Sequence, residues 1–384
     1  MDTFQFSLPT TIIGGSGVAR EAGQELAKLG VRRVFCVTDG VIRRAGLVEP
    51  VLAGLAEGGV ELAGLFDEVR PNSEVGLVDR GGHLARQARA HGVLAIGGGS
   101  VIDTAKGINV VLSYDGSILD YQGYGAIDRP LAPMVAIPTT AGTGSEVTHI
   151  AVIKDDAGRA KLSFVSRHLA PSLALLDPDM TATMPAPVTA STGMDALTHA
   201  IEAYVSASHN PVADGLALTA MRDIRRWLPL ATHRGDSPEA RQRMLVAATL
   251  AGAAFNSALV GCVHAMAHAA GGLYGIAHGL ANSILLPHGM TYNLETCPER
   301  FRDIAAALGC RTEGLSDADA ARLAVAEARA LAAECGLPVR LRDAGIPEEG
   351  LPEIAQAAMM DAAMFTNPRQ GDTDEILAVL RRAF

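Results

Sequence analysis

Up to about Asp177 the chain alternates short Val/Ile-rich apolar runs with amphipathic segments, and after Pro185 the strand signal disappears. A single-layer fold of one secondary-structure type cannot produce that change. The runs Val34-Phe35-Cys36-Val37, Val93-Leu94-Ala95-Ile96 and Met134-Val135-Ala136-Ile137 have the length and branching of buried strands. Between them lie helix candidates at Val18 to Leu29 and Glu74 to His91, ending near Gly30 and Gly92. The alternation predicts βαβ units and a parallel sheet. Long Ala/Leu-rich helical stretches then continue to Phe384. At 384 residues two domains are expected, and the cluster Pro178, Pro185 and Pro187 marks their junction, giving an α/β domain over 1–182 and an all-helical domain over 183–384.

Apolar residues make up 48% and charged residues 19%, enough for two buried cores. The formal net charge of −10 and the lack of any Lys/Arg-rich run argue against a sequence-independent grip on nucleic acid, which needs a basic surface. The first seven residues show neither a basic nor an apolar region of a secretory signal, so a cytoplasmic protein without membrane partners is expected. Five scattered cysteines without a Cys-x-x-Cys pair argue against disulfides and a structural zinc site. Leu245 to Val263 has the apolarity of a membrane span, but its Ala/Gly content with Asn256 and Ser257 favours a buried helix.

That segment lies within a charge-free stretch, Met244 to Leu294, which holds His264-x-x-x-His268, His278 and His288. Upstream is Asp195-x-x-x-His199. Residues four apart share a helix face, so Asp195 and His199 can aim an oxygen and a nitrogen at one point, with His264 and His278 adding two nitrogens. One carboxylate with three imidazoles suits Fe(II), Zn(II), Co(II) or Ni(II) rather than Ca(II) or Mg(II). Each histidine taken singly would more often fill a structural role.

In the first half, Gly97-Gly98-Gly99-Ser100 follows a predicted strand and opens a helix at Val101. Backbone amides at such a helix start can receive a pyrophosphate, although glycine runs are often mere turns. Pro138-Thr139-Thr140-Ala141-Gly142-Thr143-Gly144-Ser145-Glu146 follows another strand, at the carboxyl edge where ligands of open α/β sheets bind. Asp39 ends a third strand and could accept hydrogen bonds from a ribose or simply cap a helix. Gly15-Ser16-Gly17 starts a Gly-x-Gly-x-x-Gly pattern, but Arg20 stands in place of the third glycine, so a turn is predicted there.

Taken with Gly97 to Lys106 and Pro138 to Glu146, the segments Gly193-Met194-Asp195-Ala196-Leu197-Thr198-His199-Ala200-Ile201-Glu202 and His278-Gly279-Leu280-Ala281-Asn282 resemble the iron-containing, or group III, alcohol dehydrogenases. The resemblance runs from Thr11 to Asn367-Pro368-Arg369. It implies a Rossmann-like dinucleotide-binding α/β domain followed by an all-α metal-binding domain, the dehydroquinate synthase-like architecture. It implies that Asp195, His199, His264 and His278 are the metal ligands, with Fe(II) as the ion although Zn(II) accepts the same donors. His278 is preferred over His288 because Leu-Ala-Asn follows its glycine. His268 is implied to lie near the nicotinamide and to help move the proton. The cofactor residues carried over are Asp39, Asn72, Gly97, Gly98, Gly99, Ser100, Asp103, Thr139, Thr140, Thr143, Lys161, Met180 and Thr181. A carboxylate at Asp39 accepts the 2′-hydroxyl of NAD and repels the 2′-phosphate of NADP, so NAD(H) preference is expected.

The implied reaction is hydride transfer between nicotinamide and a small alcohol, diol, aldehyde or semialdehyde held on a divalent ion in a cleft between the domains. His149, Ile150, Ala151, Phe255, Asn256, Cys262 and Met360 are the substrate-pocket candidates. A maleylacetate reductase-type enzyme would lack the full ligand set. A dehydroquinate synthase-like lyase would need a more basic pocket, and a non-catalytic relative would have no reason to keep both sites. A hydroxyacid–oxoacid transhydrogenase remains a further alternative. A homodimer or higher homo-oligomer is expected by analogy.

Overall fold

The computed structural model describes residues 3–71, 73–155 and 161–384. Leu8–Met184 forms one compact unit; Pro185–Phe384, joined by N-terminal residues up to Ser7, forms the other.

The first unit is built on a six-stranded parallel sheet. Its strands are β1 (Thr11–Gly14), β2 (Arg33–Asp39), β3 (Glu61–Val69), β4 (Gly92–Gly97), β6 (Met134–Pro138) and β9 (Leu173–Leu176), in the order β1-β9-β6-β4-β2-β3. A smaller sheet pairs β5 (Gly123–Tyr124), β8 (Lys161–Val165) and β7 (Ile150–Lys154). Helices α1 (Ala22–Lys28), α2 (Gly40–Arg44), α3 (Glu49–Glu57), α4 (Val75–Gln87) and α5 (Gly99–Ser113) make the crossovers. Side chains alternate across the pleat. Val34, Cys36, Leu94, Ile96, Val135 and Ile137 pack with Leu26, Val51 and Leu55 on one face. Phe35, Val37, Val93, Ala95, Met134 and Ala136 pack with Val78, Ile102 and Ile108 on the other. Burial on both faces is why these strands read as continuous apolar runs rather than alternating ones.

Chain order reverses between β2 and β4: β3 adds outward beside β2, while β6 and β9 add on the opposite side of β4. A crevice opens at the carboxyl ends of strands at such a switch point. Asp39 ends β2, and the glycine loop follows β4. The predicted turn at Gly14 to Gly17 is present, with Gly17 in the left-handed region at φ 83° before a short 3₁₀ turn.

The second unit is all helical among its described residues: α6 (Ala186–Val205), α7 (Pro211–His233), α8 (Pro238–Ala258), α9 (Cys262–Tyr274), α10 (His278–Asn293), α11 (Pro298–Ala307), α12 (Asp317–Glu334), α13 (Leu351–Met359) and α14 (Thr373–Ala383). Helix α6 is the central one, packed against α7, α8 and α10, and buried almost throughout from Gly193 to Val205. The expected continuous helix over Leu245 to Val263 is instead broken. Leu259 takes a positive φ of 63°, and α8 and α9 meet at a bend of 102°. Among the described residues no single helix is long and apolar enough to cross a membrane.

Candidate metal centre and cofactor site

Helix α6 places Asp195, His199 and Glu202 on one face through i, i+4, i+7 spacing. Helix α9 carries His264 and His268 one turn apart, then stops at Gly275 in the left-handed conformation. The short turn that follows makes His278 the first residue of α10. A Cβ at Gly279 would lie 2.5 Å from the Ser191 carbonyl oxygen and 3.4 Å from Asp195 Cβ, so glycine is what lets the start of α10 reach α6.

The result is a convergence of donors. One ligand atom from each of Asp195, His199, His264 and His278 lies within 4.8 Å of the others. Asp195 Oδ1 is 3.5 Å from His278 Nε2 and 3.9 Å from His264 Nε2. Donors held about 2.1 Å from a tetrahedral ion stand roughly 3.4 Å apart, so these separations suit a borderline divalent ion. A second observation agrees with that fit. Asn282 Nδ2 donates to Asp195 Oδ1 at 2.6 Å and lies 3.3 Å from His264 Nε2 and 3.2 Å from His278 Nε2. Two amide hydrogens cannot serve three acceptors, whereas one cation can. His288 is ten residues further along α10 and outside this cluster. Burial, then the charges of Arg329 and Arg382, hold its pKa down to about 4.

Glu202 and Asp361, which had no assigned role, and the pocket candidate Phe255 complete the surroundings. Glu202, 3% exposed, accepts from His264 Nδ1 at 2.5 Å and from the backbone N–H of Val263 at 2.7 Å. Burial pushes its carboxyl up to about 7 against these donors. Asp361, just beyond α13, accepts from His268 Nδ1 at 2.9 Å. Burial works to raise Asp361, but the His268 hydrogen bond and charge together hold its carboxyl below the usual range. Phe255 lies flat on His199, ring centres 4.3 Å apart at 17°, and so fixes that imidazole's plane. Glu202 and Asn282 were visible in sequence as polar residues at helical spacing from ligands. Asp361, 93 positions from His268, carried no such signal.

The other pocket candidates are dispersed. Asn256 is buried, Met360 is 86% exposed, and Cys262 is enclosed at the start of α9, where burial and then Glu202 raise its thiol well above the usual range and make it inert. In the first unit His149 precedes β7, and burial followed by the Lys106 charge lowers its pKa. Ile150 begins β7, while the Ala151 side chain belongs to the core. The Cys262 and Ala151 side chains thus lie in the interior of their units.

At the switch point, α5 begins at Gly99 with no side chain capping it. A Cβ on Gly98 would meet Thr140 at 3.1 Å, and one on Gly99 would meet Thr143 at 2.6 Å. Thr139 donates its N–H to the Gly97 carbonyl at 3.1 Å, holding the β4 and β6 loops together. This uncapped helix start, walled by threonines and open only to glycine, matches a pyrophosphate cradle. Ser100 forms the first turn of α5. Asp39 does cap α2, through Oδ1 accepting from Val41 and Ile42 N–H at 2.7 and 2.9 Å. Asp103 is turned inward instead: Ser145 Oγ donates to Oδ1, and the Val152 N–H donates to Oδ2 at 3.0 Å. Both oxygens accept within the unit, so Asp103 ties Ser145 and β7 to α5. Met180 is likewise a core side chain, and Thr181 Oγ1 donates to the Pro178 carbonyl at 3.0 Å. Lys161 starts β8 opposite Lys154, and Asn72 lies outside the described residues.

Comparison with known proteins agrees with both halves of this geometry. A family model described as "Iron-containing alcohol dehydrogenase" matches residues 9–178, and one described as "Fe-containing alcohol dehydrogenase family, C-terminal" matches residues 189–384. The 1,3-propanediol dehydrogenase of Citrobacter freundii is 42% identical over 383 residues, covering 99% of each chain. The NAD-dependent methanol dehydrogenase of Bacillus methanolicus is 38% identical over 378 residues, covering 98% of this chain and 99% of its own. A crystal structure of a 1,3-propanediol oxidoreductase superposes with a TM-score of 0.97 at 42% identity, over the whole of both chains.

Proposed function

Since this chain belongs to the iron-containing alcohol dehydrogenase family, we propose that it interconverts a short alcohol or diol and its aldehyde with NAD(H) in preference to NADP(H), using Fe(II) held by Asp195, His199, His264 and His278. NAD(P)-linked oxidoreduction of small alcohols and aldehydes is the activity of such a chain. The observation that carries the assignment of the ligands is the convergence of one carboxylate and three imidazoles within 4.8 Å. Zinc fits the same donors, and family membership is what favours iron.

A divalent ion at this point supplies Lewis-acid polarisation of the substrate oxygen, and the nicotinamide supplies or accepts the hydride. The chain's own residues do the rest. Asp195 brings the one negative charge of the set, which offsets the cost of holding a cation in a buried site. Asn282 holds that carboxylate in place through its 2.6 Å hydrogen bond. His268, its Nδ1 turned to Asp361, presents Nε2 for proton exchange with the reacting hydroxyl or with solvent. Gly98 and Gly99 admit the pyrophosphate, and the charge on Asp39 selects the ribose 2′-hydroxyl. A short diol is favoured by the 1,3-propanediol relatives. A homo-oligomer is proposed by analogy with the family.

The test is elemental analysis of anaerobically purified protein, paired with NADH oxidation against small aldehydes before and after chelation. About one Fe or Zn per chain, with turnover lost on chelation and restored by metal, supports the reading. NADH oxidation that persists without metal would sink it and favour a metal-independent reductase.

A further inference from the structure

Helix α9 begins at Cys262 behind Gly261, a capping position with no side chain to offer. The donors that a helix start leaves over are met from far away in sequence. Asn367 Oδ1 accepts the Cys262 N–H at 3.1 Å, Glu202 Oε1 accepts the Val263 N–H at 2.7 Å, and Glu202 Oε2 accepts the His264 N–H at 3.3 Å. The same Oε2 receives His264 Nδ1 at 2.5 Å. Gly261 gives the room: a Cβ there would lie 2.8 Å from Asn367 Oδ1 and 3.1 Å from Glu202 Oε1.

One carboxylate thus does two jobs. As a carboxylate, with backbone N–H groups aimed at both oxygens, Glu202 has only acceptors to offer the imidazole, so the proton of the neutral ring belongs on Nδ1. That leaves the Nε2 lone pair directed at the point where Asp195 and His278 converge. We propose that Glu202 is a positioning residue that fixes the tautomer and orientation of His264 as an Nε2 metal ligand and, through the α9 backbone, ties metal affinity to the anchoring of that helix. The inference rests on the metal reading of the site.

Glutamine at this position is a sharp test because an amide brings two donors. If its NH₂ replaces Oε1, it faces the Val263 N–H. If it replaces Oε2, it faces the His264 N–H and demands an acceptor from Nδ1, which moves the ring proton to Nε2 and closes the lone pair to the metal. Outer partners of ligating histidines typically change metal affinity by about 10- to 100-fold.

The experiment is chelator competition for Zn(II) and Co(II), read with the Co(II) absorption spectrum, on full-length wild-type, E202Q, E202D, N367A and H278A proteins whose folding is checked by circular dichroism. The expected result is wild-type binding near one ion per chain, H278A binding almost none, and E202Q weakened about 10- to 100-fold with an altered Co(II) spectrum. E202D keeps the carboxylate but shortens the reach, and should fall between wild type and E202Q. N367A removes an α9 anchor without touching His264, and should weaken binding less than E202Q does while keeping the wild-type spectrum. Folded E202Q binding within threefold of wild type would overturn the proposal while leaving the ligand set intact, and an N367A spectrum shifted like that of E202Q would reduce Glu202 to a helix anchor. Wild-type protein that binds no more metal than H278A would overturn the site reading itself, and the proposal with it.

Discussion

Asp361 and His268 stand 93 positions apart in sequence, yet the carboxylate accepts from the imidazole Nδ1 at 2.9 Å, and the same ring stacks on His278 at 5.2 Å and 14°. The acid orients the ring, and the ring sits one layer outside the donor cluster without joining it. A proton-transfer group needs this kind of fixed tautomer.

His268→Ala should therefore lower kcat by about 10²-fold, in the range of a lost general acid–base group, while metal content stays near wild type. Asp361→Asn should lower kcat less, about tenfold, because the ring remains but its tautomer is no longer imposed. Steady-state kinetics beside elemental analysis separates the two effects. Loss of metal in either variant would make His268 a ligand or a ligand support.

His278→Ala should remove both metal and turnover from a protein that stays folded, with activity falling by orders of magnitude. His288→Ala should keep both, because His288 lies among Arg329 and Arg382 and outside the cluster. Metal retained in full by the His278 variant would break the ligand assignment.

The legibility of this chain followed the range of its interactions. The parallel sheet was readable because Val34 to Val37 and Val93 to Ile96 are buried on both faces, which leaves a continuous apolar run. Asp195 with His199, and His264 with His268, were readable as pairs because helical spacing is a local property. The break at Leu259 was not readable, since no proline or glycine stands at that residue and the two helices it separates pack on different partners, α8 on α6 and α7, α9 on α10 and α13. Nor was the inward turn of Asp103, which depends on Ser145 and Val152 from a loop more than 40 positions away. Long-range partners leave no period in the sequence.

Asp39→Asn isolates the charge at the ribose site from the fold. The amide oxygen can still accept from Val41 and Ile42, so α2 keeps its cap and stability should change by less than about 0.5 kcal/mol. The ratio of kcat/KM with NADPH to that with NADH should rise severalfold as repulsion of the 2′-phosphate is removed. An unchanged ratio in a stably folded variant would move the ribose contact away from Asp39.

Gly99→Ala adds a methyl group that would lie 2.6 Å from Thr143 at the opening of α5. The expected effect is an NADH KM or Kd raised by about tenfold or more, with Zn(II) affinity unaltered, since a small misplacement of a positioning element has large effects. Titration of NADH fluorescence reads the first quantity and chelator competition the second. Unchanged NADH binding would show that the pyrophosphate does not use this helix start.

Acid stability gives a test at a histidine outside the donor cluster. Burial, then Arg329 and Arg382, lower His288 from 6.5 to about 4. Between those values the unfolded chain binds a proton that the folded chain refuses, so stability rises with pH there and is lost as pH falls from 6.5 towards 4. Allowing for the partial exposure of the ring, the loss attributable to this one residue is roughly 1–2 kcal/mol. His288→Gln, which cannot take up that proton in the unfolded state, should flatten the decline over this window while metal binding is unchanged. Urea midpoints measured at pH 7, 6, 5 and 4.5 would show it as a difference between the two proteins that shifts in favour of the variant on acidification. Parallel curves would mean that His288 takes up its proton as readily in the folded protein as in the unfolded chain.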